Sequence, residues 1–205
     1  MSVADSTMMC QPLSLRYDCG MPRSGVEART RLREAALELY LEHGYDATTT
    51  AQIAERAGVT ERTYFRHFAD KREVLFGGEA ELRDVMVSAI AGAPASIPPL
   101  ALVIAAYTAA VPLFVIGRPI AVRRAAVIAV TPALMERAQT KTAALADALI
   151  AALVDRDIPQ ATARLATQLG SAAFDRASRE WHVHPNRDLA ALIPDAVDEL
   201  RLLAG

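Results

Sequence analysis

Residues 49–68 read TTAQIAERAGVTERTYFRHF, from Thr49 to Phe68. Thr49 is followed three residues later by Gln52, the spacing of a capping box, so a helix opens there and runs through Ile53, Ala54 and Ala57. Gly58 stops it, since a glycine just past the last apolar residue accepts the left-handed turn that closes a helix. Thr60 is placed to cap a second helix over 60–68, and Val59 before the cap can pack on Tyr64 as a hydrophobic staple. Helix, tight glycine turn, helix is the geometry that presents one helix end to a DNA major groove. It also occurs as plain packing in helical proteins, so the caps alone leave both readings open.

Working outward, Ser24 and Glu27 form another capping box, opening a helix whose Leu32, Ala35, Ala36 and Leu39 share one face and which stops at Gly44. His43, next to that glycine, suits a helix end, where a cation favours the negative pole of the dipole. Downstream, Asp70 is expected to open a long helix over 70–91 through Val74, Leu75, Leu82, Val85 and Met86, followed by a buried helix over 100–116 kinked at Pro112. Pro119, Pro132, Pro159 and Pro185 each stand where a further helix would begin, because a missing N–H costs least in the first turn. The last, from about Asn186, carries Leu189, Leu192, Ile193, Ala196, Val197, Leu200 and Leu203 as one apolar stripe; its predecessor carries the small residues Ala161, Ala166, Gly170, Ala172 and Ala173. Such a pair either closes the core or packs on its copy in a second subunit. The expectation is an all-α chain of about nine helices.

Composition agrees: 52% of residues are hydrophobic and only 5% aromatic, with no strand alternation. A formal net charge of −2 gives nucleic-acid binding no help in bulk, so its basic groups must be placed locally, and Arg62, Arg66, Lys71 and Arg72 do crowd together. Cys10 and Cys19 have neither a disulfide framework nor metal-ligand spacing, which suits a reducing cytoplasm. Residues 1–22 lack the form of a signal peptide and are expected to be a flexible extension, an artefact if translation begins at Met21. No charge stands between Asp84 and Arg118, yet Pro94, Pro98, Pro99 and Pro112 interrupt the run and much of it is alanine, so a soluble core helix is expected rather than a membrane span.

Gly44-Tyr45-Asp46-Ala47-Thr48-Thr49-Thr50, Ile53-Ala54, Ala57-Gly58-Val59-Thr60, Tyr64-Phe65-Arg66-His67-Phe68 and Lys71-Arg72-Glu73-Val74-Leu75 together resemble the N-terminal signature of tetracycline-repressor (TetR) family regulators. The resemblance implies a three-helix DNA-binding head over 23–75, with its motif at 49–68, and an effector-binding, dimerising helical domain over 76–205. It also implies that Thr50, Thr60, Arg62, Thr63, Phe65, His67 and Lys71 occupy DNA-contacting positions, Lys71 on phosphate. Thr49 and the outward-facing Arg66 complete the candidate set, and Tyr64 and Phe68 should turn toward Leu39, Ile53 and Ala57. Arg62 is the residue expected to read bases, since a guanidinium fork matches guanine O6 and N7. Many family members carry a small residue there and Tyr where Phe65 stands.

The implied partners are a palindromic double-stranded operator, a small effector and a second copy of the chain, held through the last two helices. Tyr107, Phe114, Arg123, Met135 and Phe174 are the candidate effector-lining residues, on helices that should surround Pro112; the scarcity of polar groups there favours a largely hydrophobic effector. Trp181-His182-Val183-His184 offers two histidines and no third ligand, so no metal is expected. No catalytic triad, paired acids, phosphate-cradling glycine loop or redox motif appears, so neither an enzyme nor a cofactor is expected. A helical dimer without DNA binding is the alternative that Phe65 and the charge balance favour.

Overall fold

Local chemistry builds the N-terminal helices. The computed structural model describes residues 25–204, so Ser24 with its half of the first capping box, and the 1–22 extension, lie outside the described residues. Helix α1 (Gly25–His43) ends at Gly44, whose φ of +85° is the left-handed turn that glycine makes without strain. Before α2 (Thr50–Arg56), Thr49 is extended; its Oγ1 accepts the Gln52 N–H at 3.2 Å while Gln52 Oε1 accepts the Thr49 N–H at 2.8 Å. Each half of this box satisfies a donor that would otherwise face the helix end unpaired. After the turn at Gly58, Thr60 caps α3 (Glu61–His67), its Oγ1 accepting the Thr63 N–H at 3.2 Å.

Beyond α3 the structure departs from the expected long helix over 70–91. Asp70 does act as a cap, its Oδ1 accepting the N–H groups of Arg72 at 2.7 Å and Glu73 at 3.1 Å, but what it caps is only a single 3-10 turn, Glu73–Leu75. Gly77 and Gly78 follow, Gly78 with φ +90°, and α4 (Glu79–Ala91) starts afresh. Two adjacent glycines carry too large a backbone entropy cost for a helix to run through them.

The opposite happens at Pro119. Instead of opening a helix it lies within α5 (Pro99–Ala129), 31 residues long, which also contains Pro112. Each proline deletes one N–H, but burial of Leu102, Val103, Ala106, Tyr107, Ala110, Val111 and Val127 carries the helix through both. The described residues therefore form eight α-helices rather than nine, and no strand. Helices α6 (Pro132–Val154) and α7 (Gln160–Val183) begin at their prolines as expected. Helix α8 (Leu189–Ala204) starts later than Asn186, at the carboxylate of Asp188, which accepts the Ala190 N–H at 3.0 Å.

Two apolar clusters result. In the body, Met86, Ile90, Leu102, Val103, Leu149, Leu153, Trp181, Leu192 and Ile193 pack together, joining α4 to α8. In the head, Leu32, Leu39, Ile53, Tyr64, Phe68 and Leu75 pack together, and Val127 of α5 and Leu134 of α6 complete the same cluster. Helix α5 is apolar and long enough to cross a membrane by composition alone, but it packs against α1, α4, α6, α7 and α8. Arg156, just past α6, donates to the carbonyls of Ile90, Ala91, Ala93 and Pro94, giving the C-terminal end of α4 the partners it lacks.

Candidate nucleic-acid interface

Helix α3 has a sharply divided surface. Tyr64 is fully buried and Phe68 nearly so, and the Tyr64 hydroxyl donates to the Asp70 carbonyl at 3.1 Å, fixing the helix to the chain that leaves it. Burial among apolar groups pushes the Tyr64 phenol above its ordinary range, so it stays a donor. On the other side Thr60, Glu61, Arg62, Phe65 and Arg66 are exposed and Thr63 is half-buried. Phe65, 52% exposed, meets Tyr64 edge-on with ring centroids 5.4 Å apart, a large apolar surface facing water. Thr49 and Thr50 stand at the start of α2; the Thr50 hydroxyl donates to Glu61 Oε1 at 2.5 Å, pinning the first turns of α2 and α3 to one another. That carboxylate was not among the candidates, although its place in the first turn of α3 makes it visible in the sequence.

Lys71 is more constrained than a free phosphate contact. Its ammonium donates to the carbonyls of Tyr45 at 2.7 Å and Thr48 at 2.9 Å and lies 4.1 Å from the centre of the Tyr45 ring. Burial lowers its pKa from the usual lysine value. An ammonium carries three N–H groups, so one remains for a phosphate. His67 is half-buried, and its Nε2 has no partner among the described residues. Desolvation first, then the charges of Arg66 and Arg29, hold its pKa below the ordinary histidine value, so it is a neutral ring near pH 7.

The head is tied to the body by charge. Glu73, in the 3-10 turn, is in contact with Arg137 of α6 and is 3.4 Å from Lys141, which also meets Glu79 at 2.6 Å. Arg124 of α5 donates to the Leu75 carbonyl at 3.3 Å. Arg123 was expected in an effector cavity; it instead pairs with Glu34 of α1 at 2.7 Å, because α5 extends beyond Pro119 into the head. Met135 sits exposed at the start of α6.

The remaining three candidates do meet. Tyr107 and Phe174 stack at 4.4 Å between centroids and 13° between planes, and Phe114 lies 4.7 Å from Phe174. The Tyr107 hydroxyl shares a 3.0 Å hydrogen bond with Ser171. Pro112 falls within this part of α5. Near the end of α7, His182 donates from Nδ1 to the Ser178 carbonyl at 2.6 Å and His184 lies 3.7 Å from Glu180, so each imidazole has a local protein partner.

Comparison with known proteins agrees with this geometry. The family of bacterial regulatory proteins called tetR matches residues 32–76. Over 187 residues, 84% of this chain and 82% of its relative, the sequence is 33% identical to the HTH-type transcriptional regulator TcmR of Streptomyces glaucescens. Among solved structures, NalD, the secondary repressor of the MexAB-OprM multidrug efflux pump in Pseudomonas aeruginosa, superposes with a TM-score of 0.58 at 23% identity, over 86% of this chain and 96% of NalD. Thermus thermophilus FadR, a TetR-family repressor in complex with lauroyl-CoA, superposes with a TM-score of 0.52 at 23% identity, over 86% of this chain and 93% of that one. With a fold, a capped helix pair and a near full-length relative in agreement, the chain belongs to the TetR family of bacterial transcriptional regulators.

Proposed function

We propose that this regulator is a repressor that binds a palindromic operator as a homodimer and leaves it when a small, largely apolar effector enters the body. The observation that supports DNA recognition best is α3: its inner face is locked by Tyr64 and Phe68, while Arg62, Phe65 and Arg66 stand exposed on a rigid outer face. In this reading residues 23–75 are the DNA-binding unit and 76–205 the effector-binding and dimerising unit. Thr49, Thr50, Thr60, Thr63, His67 and the free N–H of Lys71 position the phosphate backbone, and Arg62 reads a base edge. Lacking a hydroxyl, Phe65 takes a sugar or thymine methyl.

For the effector, the stack of Tyr107, Phe114 and Phe174 is the proposed entry site: an apolar ligand that parts Phe174 from its two neighbours gains their ring faces, with Ser171 and the Tyr107 hydroxyl as polar anchors. Arg123 and Met135 have no part in it. The route to the head is α5 itself, one unbroken helix from the stack to Arg123 and Arg124, which hold α1 and the Leu75 carbonyl. Selection of duplexes from a random pool by the purified protein tests the proposal. Retention of an inverted repeat, with affinity falling steeply as salt rises, supports it; no retained duplex at low salt overturns it and leaves a helical dimer without DNA binding.

A further inference from the structure

At the joint between head and body, three cations lie near one another with no ion-pair partner among the described residues. Arg29 and Arg33 lie one turn apart on α1, and both reach Gly77: a Cβ there would collide with Arg33 Nη2 and stand 3.4 Å from Arg29 Nη2. Arg124 comes from α5 on the other side, with one nitrogen on the Leu75 carbonyl. None of the three is in an ion pair among the described residues, because the nearby acids are engaged elsewhere: Glu34 with Arg123 at 2.7 Å, and Glu79 with Lys141 at 2.6 Å. Arg33 Nε is buried and has no hydrogen-bond partner among the described residues. Arg29 donates to the His67 carbonyl only at 3.5 Å and otherwise rests over the Phe68 ring.

Such an arrangement is costly without an anion. Desolvation first, then repulsion from Arg29 and Arg124, lowers the pKa of Arg33 against the opposing pull of Glu34, and burial lowers that of Arg124 against the pull of Glu79. A guanidinium stays protonated regardless, and because Glu34 and Glu79 are each paired with another cation, charge is left for an outside anion to neutralise. Beside the cluster, a cleft of about 300 Å³ lined by Arg29, His67, Phe68, Asp70, Glu73 and Arg137 runs along the seam.

We infer that Arg29, Arg33 and Arg124 form a binding site for a phosphate group at the head–body joint, separate from the aromatic stack of α5 and α7. Phosphate fits better than a carboxylate because its spread of oxygens and near-double charge serve several guanidinium forks at once. The adjoining cleft has room for the organic part of a phosphate monoester. Because α1, the 75–78 connector and α5 all contribute to the site, an occupied site joins head to body.

The test does not depend on DNA binding, although the regulatory meaning of the site rests on the function proposed above. The full-length protein is titrated calorimetrically, without DNA, with inorganic phosphate and separately with methyl phosphate, at constant ionic strength against chloride. Saturable binding of either supports the site, and the tighter of the two identifies the source. Arg33→Gln should weaken binding about tenfold or more, the usual cost of a lost charge-assisted contact; Arg124→Gln should do the same, and Arg62→Gln on α3 should not. Folding of each variant is checked by its melting temperature in chloride, and phosphate should raise that temperature for the parent but not for Arg33→Gln. Should a glutamine variant fail to fold, Arg33→Lys, which keeps the charge and loses the fork, is expected to show a smaller loss in the same direction. Absence of saturation, or equal binding by parent and Arg33→Gln, overturns the site. Complete displacement of phosphate by duplexes of any sequence overturns the small-molecule reading and makes the cluster a DNA-backbone contact.

Discussion

Arg62 and His67 lie on the same short helix yet should fail in different ways. Arg62 is exposed and has no hydrogen bond or ion pair among the described residues, so Arg62→Ala is expected to leave folding intact and to cost about 1–3 kcal/mol of binding against one base position. A uniform loss over all sequences in a binding-site selection would make it a phosphate contact instead. His67 belongs to the folding side as well. Its pKa in the folded chain is lowered by burial and by Arg66 and Arg29, whereas unfolded it returns to the ordinary value. The unfolded state therefore binds more protons, and stability should fall as pH drops below about 6.5, levelling once the folded ring is itself protonated. Urea unfolding of parent and His67→Gln on either side of that pH should show the slope in the parent and a weaker one in the variant. The outward placement of Arg62 was legible from caps and spacing. The seating of Lys71 on the Tyr45 and Thr48 carbonyls was not, since residues so far apart in sequence meet only once the head is packed.

Elements were legible where their ends are local. Thr49, Gln52, Gly58 and Thr60 determine α2 and α3 within a few residues, and the helices fall where those residues say. They were misread where packing decides: Asp70 caps a single turn because Gly77 and Gly78 intervene, and Pro119 fails to start a helix because α5 is held on neighbouring elements. Packing also explains a small residue on α7. A Cβ at Gly170 would stand 2.5 Å from Val103 Cγ1, so α7 approaches α5 more closely than any other residue permits. Gly170→Ala gains helix propensity of about 1 kcal/mol but must force Val103 aside, and overpacking of this kind costs about 1–3 kcal/mol. The net expectation is a lower melting temperature, restored in part by Val103→Ala in the same chain; a rise in the single variant would mean that α7 shifts freely.

For the whole molecule, burial narrows which residues of the last two helices can face a second copy. The second copy was expected to be held through the last two helices, and Leu192 and Val197 belong to the apolar stripe of α8. Those side chains are 3% and 7% exposed within the protomer, so charge there would unfold the chain rather than separate subunits. On the last two helices the apolar groups left outward include Leu165, 57% exposed, and Leu169, 38% exposed, one turn apart on α7, and Leu202 and Leu203 at the end of α8. A double Leu165→Glu, Leu169→Glu variant should keep its helical content and elute as a monomer in size-exclusion chromatography coupled to light scattering; a dimer of unchanged mass would move the interface elsewhere. Val127 and Leu134 bear on a different matter, the ancestry of such proteins. Because the end of one body helix and the start of the next complete the apolar interior of the head, a recombination event that joins this reading head to a foreign sensor also replaces part of the head's own interior. New pairings of operator and signal are then inherited only where the incoming elbow matches the outgoing one in volume, so the specificities of such regulators cannot be shuffled as freely as their two-part layout suggests.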